Sequence, residues 1–179
     1  MESKKEKFNI KDWIVLSTTM IGIVLTILAL IWQSVPSSGI VVATFLLMLS
    51  FILFVNSVSA NSKAAFEARN SEMDIEKIKH FVSFAEYTFG LGFTLVIVAF
   101  ALLGYKYLID FIGKTLITFI LPISFLLTAW ILIMIYNSIN YSEKGFKILR
   151  SLKRNIWIFM ELGALVVITL DYLDIFIIP

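Results

Sequence analysis

The sequence predicts an all-α fold: a polytopic integral membrane bundle of five transmembrane helices, with helices 2 and 3 extended into the cytoplasm as a helical hairpin. Three observations carry this expectation. Hydrophobic residues make up 59% of the 179-residue chain and charged ones 16%, against roughly 45–50% and about 25% in a soluble domain. The mean hydropathy of +0.91 describes more apolar surface than a water-soluble globule of this length can cover. Finally, the apolar residues gather into five segments of membrane-spanning length, with nearly all Lys and Arg on one side of them.

A bilayer core about 30 Å thick needs roughly 20 helical residues. The expected spans are about 13–33, 39–60, 87–109, 115–139 and 155–178, within one transmembrane domain covering 1–179. The first follows Lys4, Lys5, Lys7 and Lys11. Its apolar run exceeds the roughly 7–15 residues of a cleavable signal core, so it reads as a retained anchor. Trp13 and Trp32 fall about 28 Å apart along this helix, which sets both indoles at the membrane interfaces. Tyr105 and Tyr107 are expected at the outer end of the third span and Trp157 at the inner end of the fifth. Pro36 and Gly39 break the chain between the first two spans, giving a tight antiparallel hairpin.

The connection from the second to the third span is not loop-like. Lys63 to Arg69 is Ala-rich and extends the second helix, with Asn70 in the turn. Ser71 is an expected N-cap with Asp74 in the first turn. Ile75, Ile78, Val82 and Ala85 then recur at helical spacing. The third helix should therefore begin near Glu72 and run to Asp110. Between the fourth and fifth spans, the basic stretch 145–154 interleaves Phe146, Ile148, Leu149 and Leu152 and suits the anionic inner leaflet.

Orientation follows from charge. Thirteen of the fifteen Lys and Arg residues lie in the N-tail, the 61–86 stretch and the 144–154 stretch; only Lys106 and Lys114 lie opposite. By the positive-inside rule the N-terminus is cytoplasmic and the C-terminus external, in a multi-pass protein of the cell membrane.

Glu161 is the leading functional candidate, because a carboxylate at membrane depth is costly and marks function by default. The structural alternative is a protonated or hydrogen-bonded interhelical clasp to Trp130, Tyr136 or a Ser or Thr hydroxyl. Glu86 stands near the inner mouth of a small-residue face that includes Gly90, Thr94 and Gly104. Asp171 and Asp174 lie near the outer end, either along an ion path or as solvated helix ends. Pro122 is a kink or gating candidate. Gly22 belongs to a stripe with Thr19, Thr26, Ala29 and Gln33, and such stripes serve helix packing, a polar seam or a subunit interface. Intramembrane hydroxyls are expected to bond carbonyls one turn back or to reach across to a neighbouring helix. Glu76 and His80, at i and i+4, read as a surface pair.

There is no cysteine and a single histidine, His80, which excludes thiolate metal sites, His clusters and a Ser–His triad. Nucleotide-binding and hydrolase motifs are missing. The chain is expected to be no enzyme, to need no cofactor and to bind no nucleic acid. Its partners are the lipid bilayer, further copies of itself in a homo-oligomer, and a possible cytoplasmic protein. Two functions remain: an oligomeric ion channel or ion-translocating subunit, or a non-catalytic scaffold or accessory subunit binding a cytoplasmic partner through 61–86 and 140–154. A third class, an intramembrane enzyme acting on lipid, lacks clustered carboxylates and a second histidine.

Overall fold

The computed structural model describes residues 10–33, 39–69, 75–140 and 156–179, without the side chains of 133–134, 136–140 and 156–157. Among the described residues the chain is all-helical: α1 (Ile10–Gln33), α2 (Ile40–Glu67), α3 (Ile75–Ile112), α4 (Leu116–Asn140) and α5 (Ile156–Tyr172), with no strands. Three of these, α1, α2 and α3, are long and apolar enough to cross a membrane. α4 has 25 residues, and its described side chains form the apolar stretch Leu116–Leu132; the described part of α5 has 17 residues.

Hydroxyl side chains within the helices turn back on their own backbone. Thr18 donates to the Ile14 carbonyl at 2.8 Å, Thr26 to Gly22 at 2.9 Å, Thr94 to Gly90 at 3.1 Å and Thr128 to Ser124 at 2.7 Å. Each such bond satisfies a polar group without leaving the helix, as an apolar environment requires. Pro122 is buried inside α4, which continues through it.

Helix ends follow local rules. α3 stops at Gly113, whose φ of 76° is left-handed and whose N–H donates to the Ile109 carbonyl at 2.8 Å. Two residues on, the Thr115 hydroxyl caps α4 by accepting the Thr118 N–H at 3.4 Å, as an N-cap threonine does.

The fifth span, expected over 155–178, is shorter as a helix. Asp174 adopts φ 58°, the Ile175 N–H donates to the Leu170 carbonyl at 2.9 Å and the Asp174 N–H to Asp171 at 3.2 Å. This pair of bonds is a Schellman motif, with aspartate in the left-handed position usually given to glycine. The tail beyond it folds back: Ile178 is buried, and the Pro179 carbonyl accepts the Gly39 N–H at 2.9 Å. Gly39 is needed there. Its φ is 88°, and an added Cβ would lie 2.6 Å from Lys106 Cγ.

α3 is the spine and touches each of the other helices. On one side it packs with α1 and α2 through Met20, Val24, Leu28, Ala43, Leu47, Phe54, Val96 and Ala99. On the other it meets α4, α5 and the tail through Val98, Leu102, Tyr105, Leu126, Ala164, Ile168 and Ile178. A third cluster, Ala64, Ile78 and Val82, joins the far ends of α2 and α3. Burying these groups removes apolar area from water or lipid contact, and close packing supplies the dispersion energy. Near that end Ser17 of α1 bonds Ser57 of α2 at 3.1 Å, and Ser57 donates to the Ala85 carbonyl of α3 at 3.0 Å.

α3 ends at Ile112, two residues beyond the expected Asp110, and α2 reaches Glu67 within the expected extension. The Pro36 turn, Asn70, the Ser71 cap, the basic stretch 145–154, Lys4, Lys5 and Lys7 lie outside the described residues, as do the Trp157 and Tyr136 side chains. Tyr105, expected at an interface, is fully buried, while Tyr107 is exposed. Tyr105 leaves the surface because its hydroxyl has a carboxylate partner inside the bundle, Asp171.

Candidate functional site

α5 buries one face, carrying Glu161, Ala164, Ile168 and Asp171. It therefore takes two carboxylates into the bundle, about 15 Å apart along the axis at 1.5 Å per residue. Their surroundings differ.

Asp171 is fully committed. Its Oδ2 accepts the Tyr105 hydroxyl at 2.9 Å, and its Oδ1 accepts both the Lys106 ammonium at 2.9 Å and the Ile178 N–H at 2.8 Å. Side-chain exposure is 7% for Lys106 and 3% for Asp171, so this is a buried ion pair with its remaining lone pairs satisfied. Lys114 donates to the Asp171 carbonyl at 2.9 Å and pairs with Asp174. The cluster ties α3, the α3–α4 turn, α5 and the tail together. Asp171 is thus neither a solvated helix end nor a free carboxylate.

Glu161 is the opposite case. It is 2% exposed, yet neither carboxylate oxygen has a hydrogen-bond partner among the described residues. The Trp130 indole N–H, on α4, is likewise buried and unpartnered. Among the described residues, both border a cavity of about 250 Å³ together with Leu126, Leu127, Leu162 and Leu165, and the surface they present to it is apolar. No clasp from Glu161 to Trp130 is formed. Burying a carboxyl with no donor costs free energy that its surroundings do not return. Such a group meets its needs by holding a proton or by pairing with a cation that enters.

The other candidates do not converge on this cavity. Glu86 is on an exposed face of α3, and Asp174 sits in the outer turn with Lys114. Pro122 is buried one turn before Leu126 on α4. Gly90 is half-buried, while Gly22 and Gly104 are exposed with open space where a Cβ would stand. The close approach falls at Gly92 instead: a Cβ there would meet Phe54 at 3.2 Å and Leu53 at 3.3 Å. Its signal was the Gly90-Leu91-Gly92 spacing, which the small-residue stripe assigned to Gly90 alone. His80 and Glu76 face each other at 4.0 Å on the surface. Among the described residues no group of three or more His, Cys, Asp or Glu could hold a metal ion.

No protein-family model matches the chain, and no curated protein or solved structure matches it.

Proposed function

We propose that the protein is a multi-pass integral membrane protein acting as an oligomeric channel or ion-translocating subunit, with Glu161 as the carboxylate that takes up the cation. The single observation behind this reading is the contrast within α5. Asp171 has a buried cation and two further donors, whereas Glu161, equally buried, has none among the described residues. A structural carboxylate is paired in the resting fold; one that handles a mobile positive species must be free to accept it.

In this reading all five helices lie in the bilayer, with the N-terminus cytoplasmic and the Asp171 cluster at the outer side of a cell membrane. At 38 residues, α3 is about 57 Å long, well beyond a hydrocarbon core of about 30 Å. The surplus supports a cytoplasmic α2–α3 hairpin. Homo-oligomer formation has support in the open Cα faces at Gly22, Gly104 and Gly163, which let another helix approach closely in lipid.

The test is reconstitution into liposomes under proton, sodium and potassium gradients. Wild-type protein should carry a flux that Glu161→Gln abolishes with its thermal stability retained; equal flux in both proteins would refute the role of Glu161. A scaffold reading has one observation of its own: Phe66, Ile75 and Phe84 are exposed at the hairpin end of α2 and α3. Absence of any wild-type flux, together with a cytoplasmic partner captured by the wild type and lost on Phe66→Ser, would put that reading first.

A further inference from the structure

We infer that the turn and tail after α5, residues 173–179, insert into the interfacial layer of the outer leaflet, so that lipid headgroups and upper acyl chains cover this end of the molecule. This rests on the membrane reading above, whose orientation makes that leaflet the outer one, and it adds a contact which that reading does not require.

Length places the tail at the boundary. The described part of α5, Ile156–Tyr172, has 17 residues and measures about 25 Å. It starts just after the basic stretch that ends at Arg154. A hydrocarbon core about 30 Å thick therefore extends about one helical turn past Tyr172. The residues that come next lie at its outer edge, not above it in water.

The surface fits that depth. Leu173, Ile175, Phe176 and Ile177 are all exposed, and a contiguous apolar patch of this kind marks a membrane or partner surface. At the same end Tyr107 and Phe111, both exposed, stack at 6.1 Å, as residues of an interfacial aromatic belt do. The charge within the segment is Asp174, which pairs with Lys114. A partly exposed pair of this kind reaches the headgroup level while the apolar side chains beside it stay lower.

The backbone decides between lipid and other occupants. Irregular chain is tolerated at membrane depth only where its polar groups are satisfied within the protein. Leu173, Asp174, Ile175, Phe176 and Ile178 each donate their N–H to an acceptor in the protein, at distances between 2.8 and 3.2 Å. Pro179 has no N–H to satisfy, and its carbonyl accepts the Gly39 N–H at 2.9 Å. Water or a protein partner would offer hydrogen-bond partners of its own and make so full an internal set unnecessary. Acyl chains offer none. Ile178 packs inward beneath the turn, so lipid outside and Ile178 inside both keep water from the Lys106–Asp171 pair.

The chain contains no cysteine, so single spin labels can be placed by Ile175→Cys and Ile177→Cys in the full-length protein in phosphatidylcholine vesicles. Both side chains are exposed, and labels there leave the packing intact. Collision with dioxygen, which concentrates in lipid, is compared with collision with a nickel chelate, which stays in water. Leu25→Cys, on the exposed face of α1, is the lipid reference, and Ser3→Cys in the charged N-tail is the aqueous one. Labels at 175 and 177 should favour dioxygen, to a lesser degree than the label at 25. Chelate-dominated collision at 175 and 177, with dioxygen still dominant at 25, would overturn the inference and leave the membrane reading standing. Chelate dominance at 25 as well would overturn both. Labels at 175 and 177 shielded from both reagents, with dipolar broadening that unlabelled protein dilutes away, would overturn it in favour of a second copy on this face.

Discussion

Asp171 holds Lys106, the Tyr105 hydroxyl and the Ile178 N–H at once, so its loss is felt by three elements. Asp171→Leu alone leaves the Lys106 ammonium buried without a counter-charge, which typically costs about 3–5 kcal/mol. Replacing the pair, as Lys106→Met with Asp171→Leu, removes both desolvated charges and should recover most of that loss. Denaturation of purified protein in micelles checks this; a double variant as unstable as the single one would show that the pair acts through something other than charge. The same comparison explains what single residues reveal in sequence. Glu161 was legible, because an acid inside an apolar run is conspicuous wherever the chain folds. The Asp171–Lys106 pair was not, because its members are separated by 65 positions and each looks like an ordinary helix end. Only the folded tail, which buries both, makes them a pair.

α3 was legible as an element because Ile75, Ile78, Val82 and Ala85 recur at helical spacing, and the far end of α2 because the Ala-rich run 63–69 continues it. The Ala64, Ile78 and Val82 cluster is the product of both. The end of α5 was not legible: apolar composition runs on to Ile178 without a glycine or proline to stop it, and the stop is an aspartate in the left-handed region. At the hairpin end, Glu67 accepts Lys77 at 2.9 Å and Lys63 at 3.3 Å. Chiefly the Lys77 contact holds its carboxyl below the ordinary value of 4.5. A lowered folded value means that the stabilisation is complete above the ordinary value and fades as pH falls through the lowered one. Spin labels along α2 and α3 near Glu67 should therefore gain mobility in acid below about pH 4.5, with no such change in Glu67→Gln, which lacks the ion pair throughout. An identical acid response in Glu67→Gln would assign the effect to other groups. Ile78→Pro should free the whole hairpin end at neutral pH, since proline removes a helix hydrogen bond and clashes one turn back at about 3 kcal/mol. Unchanged mobility there would contradict a continuous α3.

For the whole molecule, charge distribution read from sequence proposes the orientation, and the fold adds two sites at different depths on α5. Because cysteine is missing from the chain, single cysteines report topology cleanly. Cysteine at Ser71 or Ser151 should label only from the cytoplasmic side, and at Ser37 or the exposed Ile177 only from outside. Cytoplasmic labelling at Ile177 would mean that α5 does not cross. The central claim is that Glu161 is the free, working carboxylate and Asp171 the structural one. Cation flux into liposomes, compared among wild type, Glu161→Gln and the Lys106→Met/Asp171→Leu double variant at matched folded amounts, tests it most directly. The account predicts flux in the wild type and the double variant and none in Glu161→Gln. Flux that survives Glu161→Gln and disappears in a folded double variant would contradict it.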